Sequence, residues 1–159
     1  MSPGILVLLL AVVAALAFGG YRAAVDGRFR GTHRVRSGPA APDGAEPGAA
    51  PDAPLAGTPF AQELGEQATL LQFSSAFCAP CRATRRVLGE VARIVPGVAH
   101  VEVDAEHHLD LVRRLDILRT PTTLVLGADG HEVTRASGAP TRQQVLTALA
   151  AAVGGPGEA

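Results

Sequence analysis

An uninterrupted apolar run occupies residues 4–20 and contains no charged side chain. Because an α-helix rises about 1.5 Å per residue, the run reaches about 25 Å, which is short but sufficient for one membrane crossing with Tyr21 at the interface. A cleaved secretory signal is the alternative, since Ala15-Leu16-Ala17 offers a small-residue cleavage pattern. No basic residue precedes the run, however, and the pattern therefore favours an uncleaved transmembrane anchor at residues 1–21.

Alternating strand and helix patterns fill residues 55–153. Short apolar stretches bounded by turn residues predict strands at 69–73, 98–103, 122–126 and 131–135, the last two joined as a hairpin through Ala128-Asp129-Gly130. Apolar residues at helical spacing predict helices at 78–95, 109–115 and 141–153, and Thr58-Pro59 predicts a cap for a short helix through Leu64. The resulting order, βαβαββα, is that of an α/β domain.

Two of the predicted helices carry clear apolar faces. In the first long helix the face is predicted to consist of Val87, Leu88, Val91 and Ile94. In the last helix, which Thr141 is predicted to cap, the corresponding residues are Val145, Leu146, Leu149 and Val153.

Charge and composition divide the rest of the chain. Residues 22–36 form a basic juxtamembrane segment, with five arginines against the single Asp26, and the positive-inside rule therefore places everything after the anchor in the cytoplasm. Residues 37–54 are rich in Pro, Gly and Ala without periodicity, which predicts a disordered linker with a reach of about 25 Å that holds the domain clear of the headgroups. Residues 154–159 are predicted to be a flexible tail.

Arginine is not gathered into a stripe on the folded part and the net charge is only −1, so we expect no nucleic-acid partner. The 2 cysteines of the chain lie in one motif, which leaves no cysteine for structural disulfides. The cysteine count therefore does not demand an oxidising compartment.

That motif, Cys78-Ala79-Pro80-Cys81, follows a predicted strand and opens a predicted helix. Unpaired N–H groups and the dipole at a helix start favour a thiolate over a thiol, which would make Cys78 the attacking sulfur. Cys81 lies one turn deeper on the same side and can close a small disulfide ring. Pro80 fits, because the first helical turn needs no N–H from it. These features predict thiol–disulfide exchange.

The motif, together with Thr120-Pro121-Thr122 about 40 residues later and Gly138 beyond that, resembles the thioredoxin family over residues 55–153. The resemblance implies the thioredoxin fold, a central mixed sheet with helices on both faces. It implies catalytic roles for Cys78 and Cys81 and a cis peptide bond before Pro121. It also implies that substrate binds along Phe77, Ala79, Pro80, Thr120, Pro121 and Gly138.

Three positions depart from the family pattern. Phe77 stands where the family usually has Trp, and we expect it to pack beside the disulfide without hydrogen-bonding. Ala79 replaces the more usual Gly of the dipeptide. Gln72 stands where the family buries an acid that moves the resolving thiol's proton, and Gln cannot take a proton. The proton-transfer candidates are therefore Gln72, His100 and Glu102, with water as a further route.

These features together predict a membrane-tethered, monomeric oxidoreductase that reduces protein disulfides. It would need no cofactor beyond the dithiol, and its partners would be a disulfide-containing protein substrate, a thiol reductase or other electron donor, and the lipid bilayer. Two alternatives stay open: an exported oxidoreductase of the cell envelope, and a tethered binding module without catalysis. A zinc site would need two further ligands from His100, His107, His108 or His131, whose spacing does not favour it, and we expect no metal.

Overall fold

The computed structural model describes residues 3–25, 27–31 and 53–153. The helices are α1 (Pro3–Val25), α2 (Ala79–Ile94), α3 (Leu109–Arg114) and α4 (Arg142–Val153), with a 3₁₀ helix at Pro59–Glu63. The strands are β1 (Phe29–Gly31), β2 (Ala68–Ser74), β3 (Val98–Asp104), β4 (Thr122–Gly127) and β5 (Glu132–Ser137). Most of the predicted linker, from residue 37 to residue 52, and the predicted tail at 154–159 lie outside the described residues.

The five strands form one sheet in the order β1-β5-β4-β2-β3. The β2–β3 pair is parallel, and the other three pairs are antiparallel. Helices α2 and α4 pack on one face, and α3 with the 3₁₀ helix packs on the other. The expected α/β fold, a mixed sheet covered on both faces, is therefore confirmed.

Strand β2 lies inside the sheet and is buried along its whole length. Leu71 and Phe73 point to the apolar cluster under α3, whereas Ala68 and Leu70 point to the cluster under α2 and α4. Burying one such side chain contributes about 1.5–3 kcal/mol, so both clusters hold the strand in a single register. The end of β2, at Ser74, is consequently a well-defined point from which the next loop starts.

The predicted helix faces need two corrections. The buried side chains of α2 are Cys81, Thr84, Leu88 and Val91, whereas Ile94 is 54% exposed. Ile94 lies roughly 90° around the helix from the centre of that face, because successive helical residues are about 100° apart. Val153 is also exposed, since it is the last residue of α4.

The two predicted caps have different outcomes. The Thr141 cap is confirmed: its hydroxyl accepts from the N–H of Gln144, and the Gln144 side chain accepts from the N–H of Thr141. The Thr58 cap is wrong in its chemistry, because that hydroxyl donates to the carbonyl oxygen of Leu55 at 2.7 Å and makes no cap bond to the 3₁₀ helix.

A strand that the sequence did not reveal lies within the segment expected to be only basic and juxtamembrane. Strand β1 pairs antiparallel with β5, and Phe29 is opposite Ala136. Just before it, Gly27 has a φ of 74° and its N–H donates to the carbonyl oxygen of Ser137 at 2.8 Å. A Cβ on Gly27 would lie 2.3 Å from the carbonyl oxygen of Ala139, so only glycine allows this approach.

We predict that Gly27→Ala destabilises the full-length protein more than Gly57→Ala does. Gly57 has a similar φ of 71° but no atom within 4 Å of an added Cβ, so its variant carries only the backbone strain of about 1 kcal/mol. Gly27→Ala adds a backbone clash, and we expect a loss of about 2–3 kcal/mol. Thermal unfolding in detergent and hydrogen exchange of the β5 amides measure the difference. Equal losses would show that the close approach at Gly27 contributes nothing.

Candidate active site

Cys78 and Cys81 form a disulfide at the start of α2, with their Cα atoms 5.2 Å apart. Cys78 is the residue that caps the helix, and its Sγ accepts a hydrogen bond from the N–H of Cys81 at 3.1 Å. Cys78 is half-buried, whereas Cys81 is only 2% exposed. This asymmetry leaves one sulfur open to an incoming disulfide and keeps the other beneath it. A hydrogen bond to sulfur at a helix start stabilises a thiolate, which is the reactive form of cysteine.

A second loop faces the start of α2. The Thr120–Pro121 peptide bond is cis, as the resemblance implied. The hydroxyl groups of Ser75 and Thr120 are 3.0 Å apart and hydrogen-bonded, and Cys78 donates its N–H to the carbonyl oxygen of Ser75 at 3.3 Å. The Pro121 loop therefore lies beside the loop that carries the dithiol.

Gly138, the residue directly after β5, is hydrogen-bonded to that loop. Its φ is 101°, a conformation that favours glycine, and its N–H donates to the carbonyl oxygen of Pro121 at 2.7 Å. Hydrogen bonds made by Ser75 and Gly138 thus bring together four predicted site positions, Cys78, Thr120, Pro121 and Gly138. Ala79 and Pro80 are exposed in the first turn of α2, on the same rim.

The Phe77 side chain departs from expectation. It was expected to pack beside the disulfide, but it is fully exposed (101%). The backbone on either side is held, because Cys78 bonds to Ser75 and the N–H of Ala76 lies 3.3 Å from the carboxylate of Glu106. This turn directs the ring into solvent. Leu118, two residues before Thr120, is likewise 85% exposed.

Below the dithiol, Gln72 is completely buried and bonded at both ends of its amide. Its Nε2 donates to the carbonyl oxygen of Cys81 at 3.1 Å, and its Oε1 lies 3.2 Å from the Nε2 of His100. Because an amide oxygen only accepts, the His100 Nε2 carries a hydrogen and donates. Gln72 therefore connects the backbone of Cys81 to His100 on β3.

The two remaining proton-transfer candidates are held in different protonation states. Burial lowers the pKa of His100 and Arg85 lowers it further, while Glu102 only partly opposes them. Burial acts to raise the pKa of Glu102, but hydrogen bonds from Arg85 and Ser74 and the charges of Arg85 and His100 outweigh it, so the pKa of Glu102 is lowered. His100 is therefore held neutral, and Glu102 is held as a carboxylate that Arg85 contacts at 2.7 Å. The His100 nitrogen that faces Gln72 already carries a hydrogen, so on this side His100 donates to the amide and offers no free acceptor towards Cys81.

Two further polar groups lie in this layer. Thr84 follows Cys81 by one turn on the buried face of α2, and Thr123 is the register partner of Gln72 on β4. Within the described part of the chain, neither buried hydroxyl has a hydrogen-bond partner. The same part of the chain holds no group of three or more His, Cys, Asp or Glu side chains placed to bind a metal.

A family model described as Thioredoxin matches residues 53–151. The chain belongs to the thioredoxin family. It is 31% identical to Thioredoxin H4-1 of Oryza sativa subsp. japonica over 83 residues, and 29% identical to Thioredoxin H-type of Oryza sativa subsp. indica over 79 residues. These matches cover 51% and 50% of this chain, and the chain spans only 63% of the length of each relative.

A solved mutant thioredoxin from Halobacterium salinarum NRC-1 superposes with a TM-score of 0.52 at 18% identity. The match covers 55% of this chain and 76% of that one, and it shows that the two share a fold. The apolar helix α1 and strand β1 lie outside the residues that the family model matches.

Sequence reasoning about this thioredoxin domain missed Ser75, Glu106, Thr84 and Thr123. Ser75 and Thr120 are 45 residues apart, and Ala76 and Glu106 are 30 residues apart, so no local pattern links them. The one available signal was the register of β2 against its neighbours, which follows only once the sheet order is known.

We predict that Gln72→Asp accelerates disulfide exchange near neutral pH, because a buried carboxylate can take the proton of Cys81 where an amide cannot. Gln72→Asn is the matched control, because Asn has the same length as Asp but cannot act as an acid or a base. We expect an increase of about tenfold for Asp over Asn, below the 100-fold or more of an optimised general base. Stopped alkylation of the cysteines during reduction gives the rate. Equal rates for the two variants would remove proton transfer at this position from the mechanism.

We also predict that acidification from pH 7 to pH 5 destabilises the domain partly through His100. Burial makes the pKa of His100 lower in the folded than in the unfolded chain, so the unfolded state binds more protons below about pH 6.5. The free energy of unfolding therefore decreases as the pH is lowered. Glu102 does not interfere, because its lowered pKa moves its loss of stability below that window. His100→Gln should flatten the change in melting temperature between pH 7 and pH 5. His131→Gln, at the hairpin turn, is the control, and an identical slope in both variants would contradict the assignment.

Proposed function

We propose that this protein is a membrane-tethered thiol–disulfide oxidoreductase that reduces disulfides in protein substrates. The observation that carries the proposal is the pairing of an accessible Cys78 with a buried Cys81 at the start of α2, beside the Pro121 loop. The two rice thioredoxins lend support at the level of the family, although the chain spans 63% of their length.

The reaction follows from the asymmetry of the two sulfurs. In the reduced protein the Cys78 thiolate attacks one sulfur of a substrate disulfide, forms a mixed disulfide and releases the other substrate sulfur as a thiolate, which takes a proton. Cys81 then gives up its proton and attacks the Cys78 sulfur. This second step releases the reduced substrate and leaves the Cys78–Cys81 disulfide. A partner thiol reductase or other thiol donor returns the two electrons, and we expect no cofactor besides the dithiol.

Substrate would bind as an extended segment across the rim. The backbone of Thr120 beside Pro121, the glycine at Gly138 and the apolar side chain of Phe77 surround the accessible sulfur. Ala79 and Pro80 place no charge between the cysteines. A positive group at that point would stabilise the thiolate and so make the protein more oxidising, and its absence supports a reducing role.

Helix α1 supports the tether. It is long and apolar enough to cross a membrane, with a mean hydropathy of 2.4 over Pro3–Arg22 and none of that stretch buried against the rest of the protein. The arginines that follow support a cytoplasmic position for the dithiol by the positive-inside rule. We expect the tethered protein to act as a monomer.

We predict that the full-length protein in detergent has a reduction potential near the thioredoxin value of about −270 mV. The full chain is needed, because a fragment without residues 27–31 loses strand β1. The chain contains no Trp, so its intrinsic fluorescence would report poorly on the dithiol. Thiol alkylation in glutathione or dithiothreitol buffers is therefore the suitable readout. A value near −120 mV would instead make the protein an oxidant and favour an envelope location.

Two variants separate catalysis from binding. Cys81→Ser should accumulate the mixed disulfide between Cys78 and substrate, because no resolving thiol remains, whereas Cys78→Ser should abolish exchange. If both variants and the parent bind a partner equally and none exchanges disulfides, the reductase proposal is wrong and the protein is a binding module.

A further inference from the structure

The chain passes from the apolar helix into the sheet with almost no intervening sequence. Helix α1 ends at Val25, and Gly27 already donates to the carbonyl oxygen of Ser137 at 2.8 Å before β1 begins at Phe29. The residues expected to be a spacer, 37–54, come after β1 in the chain and do not separate the helix from the domain. The distance between membrane and domain is therefore set by residues 22–27 alone.

Those residues reach only a short way. The apolar stretch that could cross a membrane ends at Arg22, five residues before Gly27. Five residues span about 8 Å as a helix and at most about 17 Å fully extended. The domain consequently cannot move far from the surface at which α1 emerges.

The attachment point lies at the same edge of the sheet as the dithiol. We call this edge the site edge; it consists of the strand ends at Phe29, Ser137, Thr122 and Ser74. The last three are close in register, since Thr122 is opposite both Phe73 and Ser137. Cys78 follows Ser74 by four residues at this edge.

The lateral distance along the site edge is also small. From β1 to β2 there are three strand spacings, or about 14 Å. Hydrogen bonds connect the attachment point to the Pro121 loop along this edge. Gly27 and Arg119 both donate to the carbonyl oxygen of Ser137, and Gly138 donates to the carbonyl oxygen of Pro121. The opposite edge of the sheet, at the turn around Gly130, is turned away from the attachment.

We propose that the site edge faces the bilayer and that the substrates are disulfides of membrane proteins lying close to the membrane surface. The proposal rests on the tether in the proposed function and adds the substrate class. The covalent reach, the strand spacing and the four residues from Ser74 to Cys78 together put Cys78 within roughly 45 Å of the point where α1 leaves the membrane. The exposed Phe77 and Leu118 form the apolar part of this edge and suit a substrate segment that emerges from lipid.

The test compares two reporters in the same proteoliposomes as the full-length protein. Each is a single membrane-spanning peptide with one disulfide, either about five residues outside the span or raised on a rigid helix of about 40 residues, which adds about 60 Å. A soluble disulfide protein serves as the third substrate. We expect the near reporter to be reduced at least about tenfold faster than the far one, because an effective concentration falls to near zero when a tether cannot span the distance.

Two insertion variants show whether the short connection causes the preference. A Gly/Ser stretch of about 60 residues inserted directly after Val25 adds about 40 Å of reach. It should lower the ratio of the near-reporter rate to the far-reporter rate to about 2 or less. The same stretch placed between Asp43 and Gly44 lies after β1 and should leave the ratio unchanged. Both variants should reduce the soluble substrate at the parent rate.

The outcomes separate the two proposals. Equal rates on the near and far reporters, with the soluble substrate reduced, would overturn the membrane-proximal substrate class and leave the reductase intact. A ratio that changes only with the insertion after Asp43 would overturn it as well. If no substrate is reduced, the proposed function itself is wrong. If the protein does not stay with the liposomes, the membrane tether is wrong. Either result also overturns the membrane-proximal substrate class.

Discussion

Strand β2 is covered on both faces and hydrogen-bonded along both sides, to β3 and to β4. A shift of its register by one residue would exchange the two faces, moving Leu71 and Phe73 out of one apolar cluster and carrying Gln72 away from α2. Each face packs its own set of side chains, so the exchanged residues would not fit the cluster they enter, and misfits of this kind cost about 1–3 kcal/mol each. The strand therefore ends at a fixed point, and the dithiol four residues beyond Ser74 takes its position from the core.

The same register places the polar side chain of Gln72 in the layer that also holds the buried hydroxyls of Thr84 and Thr123. A buried amide without partners costs about 1–3 kcal/mol per lost hydrogen bond, and Gln72 avoids this by donating to Cys81 and accepting from His100. Because the Gln72 side chain does not ionise, the position beneath Cys81 stays neutral at every pH. His100 meets the Cys81 backbone only through this amide, and burial lowers its pKa and so favours its neutral form. The hydrogen bonds of the Gln72 amide thus join the start of α2 to β2 and β3 without a charged group.

The sequence sufficed for features that depend on local pattern. The turn residues and apolar spacing predicted β2 to β5 and the four-turn helix α2 within one or two residues, and the cysteine spacing predicted the redox pair. Features that depend on distant contacts were out of reach. Strand β1 has three residues, and its position follows from Gly27 meeting Ala139, which lies more than 100 residues away. The exposure of Phe77 depends in part on Glu106, and the exposure of Ile94 on the exact rotation of α2 against the sheet.

Strand β1 also changes what the outer side of the sheet can do. Without it, β5 would present unpaired N–H and C=O groups at an open edge, which is where another chain can add a strand. β1 pairs with residues 134–136 of that edge, and Gly27 extends the pairing to Ser137. The next residue, Gly138, holds Pro121 through a 2.7 Å hydrogen bond. A movement that pulled β1 from the sheet would therefore act on the residues next to the one that holds the Pro121 loop. The attachment of the apolar helix and the geometry of the candidate active site thus depend on one continuous stretch, residues 134–138.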